Sequence, residues 1–371
     1  MLVILLTGCT SVKESRTLDD KVQGDHAVSQ NSMDQTKEPI TGSAITDEDN
    51  NKESALINWK EAKIVEMGFY PRFAESTIVQ NDRYIFYPEE GDKIMRIEKS
   101  SGESHCIFEL KDVKKGTGAQ ICLAGNQLFI EYEGAIYQCS TDGTNVKKIT
   151  DDTKKRFAAI IENCSIKDEA MIQGMKYYKG NLYLFTAYCS IVKLDLKNGE
   201  FSEIAKEVDS ACFYGTEMYC ADVYEQHIRK INLKTGKTTI VRGKKKTNRK
   251  QKEYYDSVMT VDNEIYYIYY KRGDVPSVYK YNKNGMDDKI FTFQGSVSDF
   301  QIAQVNGDKI IAEYDFHPDR QIQIYDIKSG KSKTAMMPED FETMAFMVDD
   351  VCFFHSKSSD ELYCSVYGLK K

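Results

Sequence analysis

The strongest candidate for chemistry in this sequence is a short polar segment near the C-terminus. Asp315, His317, Asp319 and Arg320 lie within six residues, between two apolar stretches. Two carboxylates beside an imidazole could transfer a proton or hold a ligand if one hairpin loop presents them together. Pro318 followed by Asp319 is also typical of a polar turn, which is the alternative interpretation of this segment.

Metal-ligand spacing is not found among the five histidines and ten cysteines of the sequence. No two histidines are near enough in sequence to form a zinc pair, and Cys-x-x-Cys does not occur. Glycine-rich phosphate loops and the Gly-x-Ser-x-Gly motif are missing as well. We therefore predict no catalytic residue, metal or cofactor, while a site assembled from distant parts of the chain stays open.

One strongly basic run, Lys244–Lys252, could contact an anionic polymer through its charges. No aromatic residue interleaves it, so a solvated loop is the alternative interpretation. The whole chain carries a net charge of −7, with 50 basic and 57 acidic residues. A nucleic-acid-binding protein usually shows a basic excess, so we predict no nucleic-acid partner.

The N-terminal residues form a short apolar run that ends in Leu6, Thr7, Gly8 and Cys9. This run resembles the lipobox of bacterial lipoproteins, in which the cysteine is lipidated and becomes the mature N-terminus. The resemblance implies a lipid anchor at Cys9 and a location on the extracytoplasmic face of a bacterial membrane. No Lys or Arg precedes Cys9, unlike a usual secretory signal. A start codon assigned too late explains this departure, and a fortuitous apolar N-terminus is the alternative.

Residues 10–56 are rich in Ser, Thr, Asp, Asn, Gln and Lys and contain no aromatic side chain. The segment cannot bury enough apolar surface to offset the entropy of ordering, so we predict a disordered acidic tether. A flexible coil of this length would span roughly 35–40 Å. The predicted organisation is therefore a signal segment at 1–9, a tether at 10–56 and a folded part at 57–371.

Nine cysteines remain besides Cys9, and an odd number cannot pair completely within one chain. Most of them fall within or beside apolar strand segments, where we expect them to act as small buried hydrophobic residues. These are Cys122, Cys139, Cys189, Cys212, Cys220, Cys352 and Cys364.

A unit of about 45 residues recurs along the folded part, which is the period of a four-stranded propeller blade. Each copy has an apolar or aromatic strand, a short turn, a second strand and a turn centred on glycine. The seven copies are Asp82–Gly102, Asn126–Gly143, Asn181–Gly199, Glu217–Gly236, Glu264–Gly285, Lys309–Gly330 and Val351–Gly368.

We predict an all-β fold, a β-propeller with seven four-stranded blades. Six or eight blades stay open because two of the repeat spacings are irregular. The 24 tyrosines and 17 phenylalanines favour strands. The last copy ends after its third strand, whereas the segment that starts at Ile57 resembles an outer strand. We therefore expect the N-terminal segment to complete the last blade and close the ring.

The repeat at Ala135–Thr150 contains Ile-Tyr, then Asp-Gly, then Ile-Thr at fixed spacing. It resembles the repeat of bacterial propellers of unknown function that are related to the low-density-lipoprotein-receptor β-propeller. Gly180–Tyr183 and Asp262–Tyr267 fit the strand that precedes this motif. The resemblance covers nearly the whole chain after residue 57 and implies scaffold residues but no catalytic ones. Many of those propellers look like secreted or lipid-anchored proteins of Gram-positive bacteria.

Two functions are consistent with this sequence. A propeller presents variable loops on a rigid ring, so the chain could be a binding or scaffold module for a protein, a glycan or an envelope polymer. The alternative is an extracellular hydrolase or lyase that acts on a polysaccharide or a lactone, with carboxylates at the mouth of the channel. The sequence favours the binding module because it shows no catalytic motif.

Overall fold

The computed structural model describes residues 63–65, 78–89, 93–101, 103–110, 119–160, 172–186, 189–222, 224, 226–244, 253–293, 300–306, 308–314, 321–336, 341–348, 351–356 and 362–366. These residues all belong to the unit Asn51–Lys371. Within this described part, no helix has the length and apolar character needed to cross a lipid bilayer.

The strands of the described residues form seven antiparallel sheets of four strands, which we name blades 1 to 7 in chain order. The first strand, β1 (Lys63–Val65), belongs to blade 7. Blade 1 consists of β2 (Val79–Gln80), β3 (Tyr84–Glu89), β4 (Lys93–Glu98) and β5 (Ser104–Glu109). Blade 2 consists of β6 (Gln120–Ala124), β7 (Gln127–Tyr132), β8 (Ala135–Ser140) and β9 (Lys147–Thr150).

The helix α1 (Thr153–Ile160) precedes blade 3, which consists of β10 (Ile172–Tyr178), β11 (Asn181–Thr186), β12 (Ile191–Asp195) and β13 (Phe201–Ala205). Blade 4 consists of β14 (Val208–Tyr214), β15 (Glu217–Asp222), β16 (His227–Asn232) and β17 (Thr238–Gly243). Blade 5 consists of β18 (Glu253–Val261), β19 (Glu264–Lys271), β20 (Ser277–Lys280) and β21 (Asp288–Thr292).

Blade 6 consists of β22 (Phe300–Asn306), β23 (Lys309–Tyr314), β24 (Gln321–Asp326) and β25 (Lys331–Met336). Blade 7 consists of β26 (Phe341–Val348), β27 (Val351–Ser356), β28 (Leu362–Val366) and β1. The two strands of each predicted repeat unit are the second and third strands of one blade. The predicted all-β architecture of four-stranded sheets is therefore present in the described residues.

Successive blades are joined by apolar residues on both faces of their central strands. Leu182 and Leu184 of β11 are fully buried in a cluster shared with blade 2. Tyr183 and Phe185 of the same strand pack in a cluster shared with blade 4. Because such a strand is buried on both faces, it reads as a continuous apolar run rather than an alternating one. Similar clusters join blade 1 to 2, blade 4 to 5 and blade 5 to 6.

The N-terminal segment completes the last blade, as the sequence predicted. Strand β1 pairs with β28 in antiparallel register, with Lys63 opposite Cys364 and Val65 opposite Leu362. The pairing supplies the fourth strand of blade 7 and covers an edge that would otherwise be open. The rest of the predicted strand segment, residues 57–62, lies outside the described residues.

The sequence did not predict helix α1, which lies between β9 and β10. The backbone N–H and the Oγ1 hydroxyl of Thr153 both donate to the Gly134 carbonyl, at 2.9 and 2.8 Å. Phe157 is fully buried, and its ring contacts that of Phe201 at a centroid distance of 5.8 Å. The helix is therefore tied to blade 2 at its start and buries one aromatic ring between blades 2 and 3.

None of the cysteines whose side chains the structure describes forms a disulfide; these are Cys106, Cys122, Cys139, Cys189, Cys212 and Cys220. Cys122, Cys139, Cys212 and Cys220 are buried, as predicted. Cys189 is only partly buried, because it lies in the connection between β11 and β12 rather than in a strand. Burial raises the pKa of the Cys122 thiol to about 12, so it stays protonated and unreactive. Cys352 and Cys364 lie in strands β27 and β28, and the structure does not describe their side chains.

The two ends of the blades differ in how the chain connects the strands. We name one end the loop face: there the second strand of each blade connects to the third, and the fourth leads to the next blade. At the other end, the turn face, the first strand connects to the second and the third to the fourth. The segment Asp315–Arg320 joins β23 to β24, and the run Lys244–Lys252 leads from β17 to β18. Both connections therefore start and end at the loop face.

Candidate binding site between blades 4 and 5

Most of the sequence-predicted site residues lie outside the described residues. This applies to the lipobox residues Leu6, Thr7, Gly8 and Cys9 and to the loop candidates Asp315, His317, Asp319 and Arg320. In the basic run, only Lys244 is described. The site that can be built from described side chains lies elsewhere on the loop face, where blade 4 meets blade 5.

A buried histidine–aspartate pair fixes one loop of this site. Asp222 is the last residue of β15, and His227 is the first residue of β16. The Nδ1 atom of His227 contacts Oδ2 of Asp222, and the two residues are only 3% and 2% exposed. The other oxygen, Oδ1, accepts hydrogen bonds from the backbone N–H groups of Tyr224 at 3.1 Å and Gln226 at 2.8 Å. One carboxylate thus holds both ends of the loop.

The loop held by this pair displays an exposed aromatic side chain. Tyr224 is 61% exposed, although its backbone N–H is bonded to the buried Asp222. Large aromatic side chains dominate binding energy at protein interfaces, and a ring on a fixed backbone loses little freedom when it binds. The histidine and aspartate are themselves too buried to meet a ligand directly, so their role here is to position the loop.

A glycine lets blade 5 approach this loop closely. Gly243, the last residue of β17, has a φ of +71°. A Cβ atom at this position would collide with the carbonyl oxygen of Gln226 and would lie 2.8 Å from Cε2 of Tyr255. Only glycine combines this backbone conformation with such close neighbours. The end of β17 therefore brings the aromatic ring of blade 5 against the loop of blade 4.

Strand β18, the first strand of blade 5, carries the carboxyl group of Asp256 in its loop-face half. The register of β18 against β19 shifts between Asp256 and Val258, which is a β-bulge at Ser257. The Oδ1 atom of Asp256 accepts hydrogen bonds from the N–H of Ser257 at 2.5 Å and from its hydroxyl at 2.9 Å. The N–H of Val258 donates to Oγ of Ser210 in blade 4 at 2.9 Å. The bulge thus ties the two blades together beside the carboxyl.

Burial raises the pKa of Asp256, and the hydrogen bonds from Ser257 offset this effect only in part. Both donors are neutral, and no ion pair to Asp256 is found among the described residues. A carboxyl with a raised pKa is a functional-site candidate, because it can hold or release a proton closer to neutral pH. Sequence reasoning missed this residue because its burial follows from how the blade packs and not from a local motif.

Tyrosine rings cover the loop-face end of blade 5. Tyr254 and Tyr270 are opposite each other in the register of β18 and β19, and their rings stack at 4.8 Å. The next pair, Tyr255 and Tyr269, is tilted with ring centroids 5.0 Å apart. The hydroxyl of Tyr269 donates to Glu253 at 3.4 Å. Tyr255 and Tyr269 pack in the cluster that joins blades 4 and 5, whereas Tyr270 packs in the cluster that joins blades 5 and 6.

Metal binding is not indicated by the described side chains, in which no three His, Cys, Asp or Glu residues come together as a ligand set. The geometry offers two things instead. The first is an exposed tyrosine on a fixed loop, and the second is a carboxyl that is stabilised in its protonated form.

Comparison with known proteins identifies the fold. No family model and no curated protein matches the chain. Among solved structures, the oligogalacturonate lyase of Vibrio parahaemolyticus is 10% identical over 84% of this chain and 93% of its own, with a TM-score of 0.52. The β-propeller domain of Cps50 (Swd1) from Myceliophteria thermophila is 7% identical over 82% and 99%, with a TM-score of 0.50. The predicted fold is therefore confirmed: the described chain is an all-β propeller.

Proposed function

We propose that this chain is a lipid-anchored binding module that holds a partner protein on its loop face, where blades 4 and 5 meet. The observation that carries the proposal is the exposed ring of Tyr224 on a loop fixed by the buried Asp222. An aromatic anchor on a preorganised backbone is the kind of feature that dominates interface energy. The rings of Tyr255 and Tyr269 pack in the cluster that joins blades 4 and 5, beside the same loop.

Capture from bacterial envelope extracts tests the binding site. The bait is the full chain with Cys9→Ser, so that it can be handled without a lipid. Removing the anchor by Tyr224→Ala should reduce the captured partner roughly tenfold. Tyr177→Ala is the matched control, since Tyr177 is 39% exposed near the turn face. Equal capture by the bait, Tyr224→Ala and Tyr177→Ala would contradict a loop-face site.

The lipid anchor is supported by the sequence Leu6-Thr7-Gly8-Cys9, and it places the propeller on the extracytoplasmic face of a bacterial membrane. Two or three acyl chains on one cysteine give stable anchoring, which a single chain does not. Cys9→Ser should move the chain from the membrane fraction to the soluble fraction and abolish incorporation of labelled palmitate. Cys106→Ser, which removes an exposed thiol of the propeller, is the control. Membrane retention of Cys9→Ser would refute the anchor.

A second function, cleavage of a polysaccharide, is favoured by Asp256. A carboxyl with a raised pKa could serve as a general acid toward a glycosidic oxygen. The fold is shared with the Vibrio oligogalacturonate lyase, but a shared fold does not transfer an activity. Incubation with pectate and with peptidoglycan glycan strands tests this function. Release of new reducing or unsaturated ends that is lost in Asp256→Asn would support it, and no release by the unaltered chain would exclude it for these substrates.

A further inference from the structure

A groove on the turn face, away from the proposed partner site, crosses the same seam between blades 4 and 5. Its volume is about 460 Å³. The turn after β14 forms one wall, and the turns after β18 and β20 form the other. The groove is lined by Tyr214 of blade 4 and by Glu264, Lys280, Asn282, Lys283 and Asp288 of blade 5, among others.

A partly buried ion pair holds the blade 5 wall in place. Asp287 is paired with Arg242 of blade 4, and these side chains are 7% and 16% exposed. The same carboxylate accepts hydrogen bonds from the N–H of Asn282 at 2.7 Å and from the hydroxyl of Tyr267 at 2.6 Å. The guanidinium of Arg242 also lies 4.4 Å from the ring centre of Tyr281. The wall is therefore rigid before any ligand arrives, which lowers the entropic cost of binding.

The groove presents both hydrogen-bond donors and acceptors, with equal numbers of positive and negative charges among the side chains named. Lys280 lies 3.2 Å from Glu264, and their side chains are 36% and 49% exposed. Lys283 and Asp288 add one charge of each sign. The ring of Tyr214 forms part of the opposite wall, with the Lys283 ammonium 5.2 Å from its centre. Aromatic carbon therefore lies next to charged and amide groups, with no net charge among the side chains named.

We infer that this groove binds a neutral oligosaccharide. Each sugar hydroxyl can donate to a carboxylate or amide oxygen and accept from an ammonium or amide N–H. The C–H face of a sugar ring can pack against the edge of the Tyr214 ring, as apolar groups do against aromatic side chains. A polyanion would meet two carboxylates, and an apolar peptide would find few apolar side chains. This site does not depend on the loop-face partner.

Titration of the full chain with named glycans tests the inference. The neutral probes are the β-1,4-linked tetramer of N-acetylglucosamine, cellotetraose and maltotetraose. Tetragalacturonate is the anionic comparison. We expect at least one neutral probe to bind with a Kd below about 1 mM by calorimetry, and more tightly than tetragalacturonate. Lys280→Ala and Asp288→Asn should each weaken that binding roughly tenfold.

Blade 4 provides a matched control outside the groove. Lys230 pairs with Glu217 at 3.1 Å across strands, in the same relation as Lys280 to Glu264. Lys230→Ala and the loop-face variant Tyr224→Ala should therefore bind the glycan as the unaltered chain does. Loss of binding in the groove variants alone supports the site. The inference is overturned if no neutral probe binds, if the groove variants bind normally, or if tetragalacturonate binds more tightly.

Discussion

Blade 5 has a carboxyl group near each of its two ends, and the pKa values of the two are shifted in opposite directions. Near the loop face, the neutral N–H and hydroxyl of Ser257 are the hydrogen-bond donors to Asp256 among the described residues, and burial raises its pKa. Near the turn face, burial also opposes ionisation of Asp287. There the hydrogen bonds from Arg242, the Asn282 N–H and Tyr267 outweigh it, and the pKa of Asp287 lies below its ordinary value.

Burial disfavours ionisation of both carboxyls, and only at Asp287 do a charged partner and its hydrogen bonds outweigh it. A guanidinium that reaches across from the neighbouring blade makes Asp287 a structural anion. Without such a partner, Asp256 keeps a proton-binding capacity that the fold does not need. The turn-face end is thus built for rigidity, whereas the loop-face end retains a group that is costly to ionise and available for chemistry or recognition.

Removing the paired carboxyl should give the largest effect. Asp287→Ala leaves the Arg242 charge without its partner and the Tyr267 hydroxyl without its acceptor. We expect a loss of about 3–5 kcal/mol in the free energy of unfolding, measured by urea denaturation at neutral pH. Asp288→Ala, at the next and exposed position, is the control and should change stability by less than about 0.5 kcal/mol. Similar losses in both variants would show that the pair does not hold the seam.

Filling the space beside Gly243, at the loop-face end, should lower the free energy of unfolding by less than the loss of Asp287 does. Gly243→Ala places a methyl group against Gln226 and Tyr255 in a backbone with φ of +71°. Gly236 has the same φ but no neighbour within 4 Å of an added Cβ. Gly236→Ala therefore measures the cost of the backbone conformation alone. We expect Gly243→Ala to lose about 1–3 kcal/mol more than Gly236→Ala by thermal or urea denaturation. Equal losses would mean that the contact between the blades is not tight.

Neutralising the unpaired carboxyl should stabilise the protein, in contrast to Asp287. Because the folded pKa of Asp256 is raised, its ionised form is penalised in the fold. This penalty is fully present at a pH above the folded pKa and disappears as the pH falls below the unfolded value of about 3.9. Asp256→Asn should therefore raise the free energy of unfolding at pH 7 by about 1–3 kcal/mol. The gain should vanish in acid.

The contributions of Asp256 and Asp287 to the free energy of unfolding should depend on pH in opposite ways. The stabilisation from Asp287, whose folded pKa is lowered, is present above its unfolded pKa and is lost as the pH falls through the folded value. Denaturation curves of Asp256→Asn and Asp287→Ala at several pH values test both signs. Asp151→Asn, at an exposed position, is the control. A gain in Asp256→Asn that stays constant down to pH about 3 would contradict the ionisation argument.

The number and spacing of the sequence repeats predicted the architecture well. Each blade repeats the same strand and turn pattern, so a local signal recurs in every repeat unit and marks the second and third strands. The pairing of β1 with β28 was predictable for the same reason, since the last unit lacked a strand and an unpaired segment preceded the first. Helix α1 was missed because it occurs once and lies in a connection that the repeat does not constrain.

The site was predicted less well, because its groups are far apart along the chain. Arg242 and Asp287 are 45 residues apart, about one blade, and nothing in the sequence pairs them. Asp222 and His227 were within reach of sequence reasoning: they occupy the last and first positions of two strands that a short connection joins. Residues at such positions face each other across a hairpin, and this signal could have marked them.

The smallest effect on stability is expected at the exposed end of the seam, from Tyr224→Ala. The ring is 61% exposed, so its loss should change the free energy of unfolding by less than about 0.5 kcal/mol. Asp222→Ala, in contrast, removes the acceptor of two backbone N–H groups and the partner of His227. It should release the loop and weaken partner capture as strongly as Tyr224→Ala, with a clear loss of stability. If Tyr224→Ala destabilised the fold as much as Asp222→Ala, the ring would be part of the structure, and the contrast between a rigid support and an exposed binding group at this end of the seam would fail.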